Sequence, residues 1–428
     1  MKTLFTHGIR KFFLGSQGSF TLSPVARTTR LNFPPLTQIG LYIHIPFCKS
    51  VCPYCPFNKI RYDKTLVEPY LKAILAEIDF YYDIYGPIQI PSIYIGGGTP
   101  TTLLDELGLI IQKIRNKFQL TGDICIETNP TDFLDREQAI QKLIDYGISR
   151  ISLGVQSFND KHLQLIGRDH KSSMLYPVIE RLLAYKFKTV NLDLMFAMPH
   201  QTVDEVIEDL QTAINAGVNQ ITLYPMFTFP FSTAGKYLKI SSINAPSFFT
   251  RWAMHHAIHD VCINNGFERT TVWSFKRSYI PSYSSVSREN FLGIGAGAIS
   301  HLSGLFYLNT FVVKVYIATC LNHQLPIALK MNFSDKMTHY HWLYWQFYNT
   351  FIPKQGLAEK FGIRNLKINI LFKVLKTLGF CQETDSNYEL TTSGAFWFYL
   401  MQKKFVLAPM STVWTTAMKD PWPQEIHL

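Results

Sequence analysis

Short apolar runs, separated by longer stretches of helical spacing, recur along the first half of the chain. The runs are residues 41–45, 92–95, 123–127, 150–154, 189–195 and 220–224. Between them, residues 66–82, 103–118, 136–146 and 203–216 space their apolar positions three and four apart, which predicts amphipathic helices. Six repeated βα units predict an α/β fold with a parallel sheet, wound as a partial (β/α)6, TIM-like barrel. In such folds the chemistry sits at the C-terminal ends of the strands. Five of the six runs end in a polar, Gly or Cys motif, and the sixth ends in Tyr224–Pro225. Residues 38–230 therefore read as the core barrel, behind an arm at 1–37. The rhythm fades over 231–331, a mixed α/β extension with a Gly-rich piece at 293–297. Residues 332–428 read as a small C-terminal domain. Its order of helix, helix and a short strand at 388–392 before Gly394 is winged-helix-like.

Composition narrows the classes. Of 428 residues, 47% are hydrophobic and 14% aromatic, which suits two or three folded domains with cores of their own and excludes a disordered chain. No run of about 18 uncharged apolar residues occurs, so no membrane span is expected. Gly8, Arg10 and Lys11 interrupt the place where the apolar stretch of a secretory signal would lie. The net charge of +10 is uneven: the first 62 residues hold eight Lys/Arg and no acid, leaving 33 basic against 31 acidic groups in the rest. That basic start fits a surface attracting an acidic substrate, an organellar targeting peptide or a solvated arm. It carries no recognised nucleic-acid module, and no nucleic-acid partner is expected.

The seven cysteines change the picture most. Three crowd into Phe47-Cys48-Lys-Ser-Val-Cys52-Pro-Tyr54-Cys55-Pro-Phe57, on a loop directly after the first run, and four are scattered. A disulfide framework would spread them, whereas a tight triplet points to metal in a reducing compartment. Structural zinc takes four Cys or His ligands, and only His44 is near as a fourth. A [4Fe–4S] cluster also takes four thiolates, so three leave one iron open to a substrate or cosubstrate. Gly96-Gly97-Gly98-Thr99-Pro100 ends the second run, and glycines let a ligand approach the backbone. Glu127, Gln156 and Asp193 end or lie in the next three. Buried there, they need partners: a ligand, one another, or a neighbouring helix start.

The C-x3-C-x2-C spacing resembles that of the radical S-adenosylmethionine (SAM) superfamily. The resemblance implies a [4Fe–4S] cluster on Cys48, Cys52 and Cys55, which cleaves SAM to methionine and a 5'-deoxyadenosyl radical. The run Leu41-Tyr42-Ile43-His44-Ile45-Pro46-Phe47-Cys48, with residues 96–101, 154–160, 191–199 and 293–298, narrows the likeness to the oxygen-independent coproporphyrinogen III oxidase-like group. It covers residues 38–300, with a looser echo at 390–394. It implies that Tyr42, Gly97, Gly98, Thr99, Glu127, Gln156, Arg168 and Asp193 contact SAM. It also implies a tetrapyrrole substrate, an electron donor such as flavodoxin or ferredoxin, and a cytoplasmic setting.

Members of that group differ in substrate, as oxidases, heme chaperones or enzymes that open heme while transferring methyl groups. This chain departs from two patterns. The oxidase carries a further Cys where Phe57 stands, and the chaperone's His-Asn-x-x-Tyr-Trp is absent from residues 284–291. Other features have more than one reading. His255 and His259, four apart, suit a metal or packing. The aromatic stretch from His339 through Trp342 to Tyr348 suits stacking on a macrocycle, an axial heme ligand, or a packed first helix of the C-terminal domain. Lys59, Arg61 and Lys64 suit substrate carboxylates or a solvated face. Cys125, Cys262, Cys320 and Cys381 read as buried small apolar residues.

Overall fold

A computed structural model describes residues 20–26, 31–134, 136, 138–227, 229, 232, 245–281, 289–405 and 407–428. The chain begins its described part with strand β1 (Thr21–Pro24), followed by β2 (Gly40–Ile45), the short parallel pair β3 (Phe47–Cys48) and β4 (Ile60–Arg61), and helix α1 (Lys64–Tyr85). Alternation then follows: β5 (Gln89–Gly97), α2 (Leu104–Lys117), β6 (Gln119–Thr128), α3 (Ala139–Asp145), β7 (Ile148–Gln156), α4 (Asp160–Leu165), α5 (Leu175–Ala184), β8 (Thr189–Phe196), α6 (Val203–Asn215) and β9 (Gln220–Pro225). All six expected strands are present, and β2, β5, β6, β7, β8 and β9 pair in parallel in that order. Both faces are largely buried, but they differ: Leu41, Ile43, Ile45, Ile93, Ile95, Ile126 and Leu153 are fully buried on the helix-covered face, while Tyr42, His44, Glu127, Ser152 and Asp193 alternate with them on the inner face. Local chemistry sets the helix starts. At α6, Thr202 Oγ1 accepts from Glu205 N at 3.2 Å, and Glu205 Oε2 accepts from Thr202 N at 2.8 Å, a reciprocal cap.

The barrel stays open because other strands occupy its edges. After β9 come α7 (Phe248–Asn264), β10 (Phe267–Arg269) and β11 (Ser274–Arg277), and β11 pairs antiparallel to β9. On the other edge β12 (Phe291–Ile294) runs parallel to β2, and β13 (Ile299–Leu302), β14 (Leu305–Asn309) and, after α8 (Val313–Leu321), β15 (Ile327–Asn332) continue the sheet. Strand β1 pairs with β15, and Leu22 is 1% exposed in a second apolar cluster with Leu308, Phe311 and Leu329. The described part of the basic arm is thus woven into the sheet. Of residues 1–30, where a targeting peptide would lie, 1–19 and 27–30 fall outside the described residues.

The last part begins with α9 (Asp335–Tyr348), β16 (Phe351–Pro353), α10 (Lys354–Phe361), α11 (Leu366–Thr377), β17 (Cys381–Glu383) and β18 (Asn387–Leu390). Helix, strand, helix, helix, strand, strand with a three-stranded antiparallel sheet is a winged-helix order. The expected strand at 388–392 is shorter, since Thr391 Oγ1 caps the turn that opens α12 (Thr392–Phe405). Helix α13 (Leu407–Ala417) and β19 (Ile426–His427) return to the main sheet, where Val413, Trp414 and Ile426 join the second cluster. No helix among the described residues is long and apolar enough to cross a membrane.

Candidate functional site

A cavity of about 470 Å³ opens at the C-terminal ends of the parallel strands. Cys48, Cys52, Cys55, Gly97, Gly98, Thr99, Glu127, Gln156, Arg168 and Asp193 all border it, although they come from five separate βα units. Cys48 ends β3, and the other two thiols lie on the loop before β4. Burial pushes the Cys48 thiol up to about 12, with a 3.7 Å contact from Thr99 Oγ1 partly offsetting it. Burial also raises the Cys55 thiol, and the Lys59 ammonium partly offsets that. Lys59 Nζ donates to Cys55 O at 2.6 Å, and Arg168 Nη1 approaches Cys52 Sγ at 3.4 Å.

The glycine strand end is held against the cysteine loop. Gly98 N donates to Ile45 O at 2.7 Å and Thr99 N to Phe47 O at 2.8 Å. A Cβ on Gly98 would stand 2.7 Å from Phe47 O, so only glycine allows this approach. Glu127 accepts from Gly97 N at 3.2 Å and from the Tyr94 hydroxyl; burial raises its carboxyl. Asp193 accepts from Ser152 Oγ at 2.7 Å and Asn191 Nδ2 at 2.9 Å. Burial first, then the Glu127 charge, pushes Asp193 up to about 7. Gln156 has a left-handed backbone (φ 70°) at a register shift between β7 and β8, which turns its side chain toward the cavity, where Tyr224 Oη donates to Gln156 Oε1 at 2.5 Å. The three polar residues therefore pair with neighbours and still border the cavity.

Tyr42 is the exception among the expected residues. It does not line the cavity; its ring lies 6.1 Å from that of Tyr94, which does. Its hydroxyl donates to His44 Nδ1 at 2.8 Å, while His44 Nε2 donates to Asn58 O at 2.8 Å. Burial lowers His44 to about 4, so it is neutral, with both nitrogens engaged. That removes it as a fourth zinc ligand. The Gly-rich piece buttresses the loop from behind. Asn58 Nδ2 donates to Ala296 O at 3.0 Å and Phe311 O at 2.9 Å, and Gly295 (φ 111°) packs where a Cβ would be 2.5 Å from His44 O. Fully buried Glu77 accepts from Gly295 N, Asn309 Nδ2 and Tyr316 Oη at 2.9, 2.7 and 2.6 Å.

The far wall was not legible in the motifs. It consists of Phe227, Phe229, Trp273, Tyr344, Tyr348, Gln402 and Met410, and Phe57 and Lys59 border the same cavity. In the aromatic stretch of α9, Trp342, Leu343 and Phe347 are buried in packing, while Tyr344 and Tyr348 border the cavity. Of the three basic residues, only Lys59 lines it; Arg61 and Lys64 are exposed outside. His255 packs against Phe396 and Trp273, and no group of three or more His, Cys, Asp or Glu among the described residues is placed for a single metal ion. Cys125, Cys262, Cys320 and Cys381 are buried and in no disulfide.

A family model described as the radical SAM superfamily matches residues 42–213. A heme chaperone HemW from Lactococcus lactis subsp. lactis (strain IL1403) is 30% identical over 282 residues, covering 64% of this chain and 73% of the relative. An anaerobilin synthase from Escherichia coli O157:H7 is 25% identical over 367 residues, covering 83% and 81%. The solved coproporphyrinogen III oxidase (HemN) of Escherichia coli shares the fold, with a TM-score of 0.74 at 19% identity over 86% of this chain and 90% of that one. The chain belongs to the radical SAM superfamily, in its oxygen-independent coproporphyrinogen III oxidase-like family.

Its cofactors are accordingly a [4Fe–4S] cluster and SAM. The residues fit them. Three thiols border one cavity instead of converging on a point, and buried thiols become ligands only when iron displaces their protons. The glycine strand end, with carboxylates and an Arg beside it, is a place where a polar nucleotide-like ligand can meet backbone and side chains.

Proposed function

We propose that this chain is a radical SAM enzyme acting on a tetrapyrrole, in coproporphyrinogen III oxidase-like chemistry of porphyrin or heme metabolism. One observation carries the reading: the three thiols, the glycine strand end and an aromatic wall open onto one cavity. Cys48, Cys52 and Cys55 hold the cluster in this reading. Gly97, Gly98, Thr99, Glu127, Gln156, Arg168 and Asp193 hold SAM, with Tyr42 orienting Tyr94 from behind. The cluster, which Cys48, Cys52 and Cys55 would hold, would supply one electron for reductive cleavage of SAM to methionine and a 5'-deoxyadenosyl radical, and that radical would supply hydrogen abstraction from the substrate. The protein's own part is placement and exclusion of water. Tyr344, Tyr348 and Trp273 offer flat apolar faces to a macrocycle, and Lys59 offers a cation to a substrate carboxylate. A flavodoxin or ferredoxin would donate the electron, in the reducing cytoplasm that suits free thiols.

The likeness to a heme chaperone favours a second reading, heme binding for delivery, and the anaerobilin synthase supports a third, heme modification. Anaerobic turnover of the reconstituted, reduced protein separates them. Loss of two carbon dioxide units from coproporphyrinogen III with matching 5'-deoxyadenosine supports the oxidase. Methylated or opened heme supports modification. Stoichiometric heme binding without SAM cleavage overturns the enzyme reading.

A further inference from the structure

Helix α11 carries a largely exposed apolar row on its outer side. Ile368 and Phe372 are buried against the domain. On the other side Leu366, Ile370, Val374 and Leu378 are 71, 51, 47 and 53% exposed, and Ile363 just ahead is 83% exposed. At about 100° per residue, steps of four drift by about 40°, so the four side chains make one oblique band. Past Leu378 the apolar surface continues through rings. Phe380 lies 5.5 Å from Trp397, Trp397 6.2 Å from Phe248, and Phe248 5.4 Å from the 79% exposed Phe249.

Charge along this helix has one sign. Arg364, Lys367, Lys373 and Lys376 are exposed, and residues 362–380 contain no Asp or Glu. Glu383 takes Lys376 and Lys354. No ion pair joins Arg364, Lys367 or Lys373 to a carboxylate among the described residues. A second copy would bring like charges together, which opposes self-association. Nucleic acid is read by polar groups on bases and phosphates, whereas here four outward positions are aliphatic. An apolar band flanked by lysines, continued by exposed Trp and Phe, matches an interface that is apolar beneath and anionic at its surface.

We propose that α11 and the adjoining aromatic rings form a peripheral docking surface for an anionic lipid bilayer. The inference is independent of the chemistry in the cavity. The test is co-sedimentation of the full, cluster-loaded chain with vesicles of phosphatidylcholine, with and without phosphatidylglycerol. Binding to the anionic vesicles is expected, at least tenfold above neutral ones and falling with salt. Leu366→Glu combined with Ile370→Glu should lose binding at least tenfold, with cluster absorbance and elution volume unchanged. Lys367→Glu with Lys373→Glu should lose the preference for anionic lipid. Equal sedimentation of wild type and the Leu366/Ile370 variant overturns the proposal. So does a concentration-dependent dimer abolished by that variant, which assigns the row to self-association. DNA binding lost only in the lysine variant, without lipid binding, overturns it as well.

Discussion

Replacing Gly98 with Ala adds one carbon at the junction of the glycine strand end and the cysteine loop. That carbon would stand 2.7 Å from Phe47 O and 2.8 Å from Pro46 C, both backbone. Ordinary contact is about 3.5 Å, so the two segments must part by roughly 0.7 Å. They are tied by Gly98 N to Ile45 O at 2.7 Å and Thr99 N to Phe47 O at 2.8 Å, and parting weakens both bonds, each worth about 1 kcal/mol net. The strain is about 1–3 kcal/mol, and it falls one residue before Cys48. A shift approaching 1 Å at a reacting centre costs on the order of 100-fold, so 5'-deoxyadenosine formation should drop roughly 10- to 100-fold while iron content is largely kept. Gly108→Ala is the matched control. Its carbon would come equally close, 2.7 Å, but to the edge of the Tyr146 ring, which is half-buried and can swing. It also gains about 1 kcal/mol of helix propensity. Gly108→Ala should therefore melt and turn over like wild type. Anaerobic product assays and thermal melts of both variants decide the matter. Wild-type turnover in Gly98→Ala, or equal damage in the two, would refute the claim that rigid backbone contact sets the site.

Other outcomes follow from buried charge and from the far wall. Burial, partly offset by three donated hydrogen bonds, pushes Glu77 from 4.5 to about 7, so its contribution to stability is full below 4.5 and lost as pH rises to about 7. Relative to wild type, Glu77→Gln should gain about 3 kcal/mol of stability between pH 4.5 and 8, read as a changing difference in melting temperature; a constant difference sinks the assignment. Asp193, raised to about 7 by burial and then by Glu127, should be ionised more readily once the cavity takes up a cationic ligand such as SAM. SAM affinity should then climb from pH 5 to about 7 and level off, with a shallower slope in Asp193→Asn; an unchanged slope counts against it. Tyr348→Leu should weaken tetrapyrrole binding about 3- to 10-fold while leaving SAM cleavage intact, and a loss of SAM cleavage instead would move Tyr348 to the cofactor side.

The six strands were legible because each is buried on both faces and so reads as a short apolar run bounded by helices of period 3.6. The cofactor side was legible for a related reason: each motif sits at the end of such a strand, so sequence position implies place. The crossover between β7 and β8 was less visible, because Gly167 (φ 70°) lies between two short helices, α4 and α5, and neither sustains a long period. Tyr94 lies two residues before Gly96, within a strand whose motif drew attention to its glycines alone. Tyr344 and Tyr348 escaped for another reason. On α9 the apolar character is continuous around the helix, so no periodicity separates the packed Leu343 and Phe347 from the cavity-facing tyrosines. Only tertiary placement distinguishes them.

That division of labour bears on why relatives of similar fold carry different names. The radical SAM family match ends at residue 213, and every cofactor-side residue that borders the cavity lies within it. The aromatic wall comes from Phe227, Phe229, Trp273, Tyr344, Tyr348, Gln402 and Met410, all beyond that limit, while Phe57 and Lys59 border the cavity from the cluster loop. Changes on that wall leave the hydrogen bonds from Gly97 to Glu127 and from Ser152 to Asp193 untouched, since none of these groups contributes to it. A chain can therefore keep one way of holding cluster and SAM while exchanging the surface that meets the substrate. Phe57 sits at the seam between the two halves, 47% exposed and bordering the same cavity as Cys55 and Lys59. An apolar ring there, where the oxidase pattern has a thiol, adds to the aromatic character of the cavity and leaves Cys48, Cys52 and Cys55 in place. In the proposed reading substrate choice rests with Phe57, Phe227, Phe229, Trp273, Tyr344, Tyr348, Gln402 and Met410, and exchange of these residues between relatives, rather than of the cysteines, is expected to convert one activity into another.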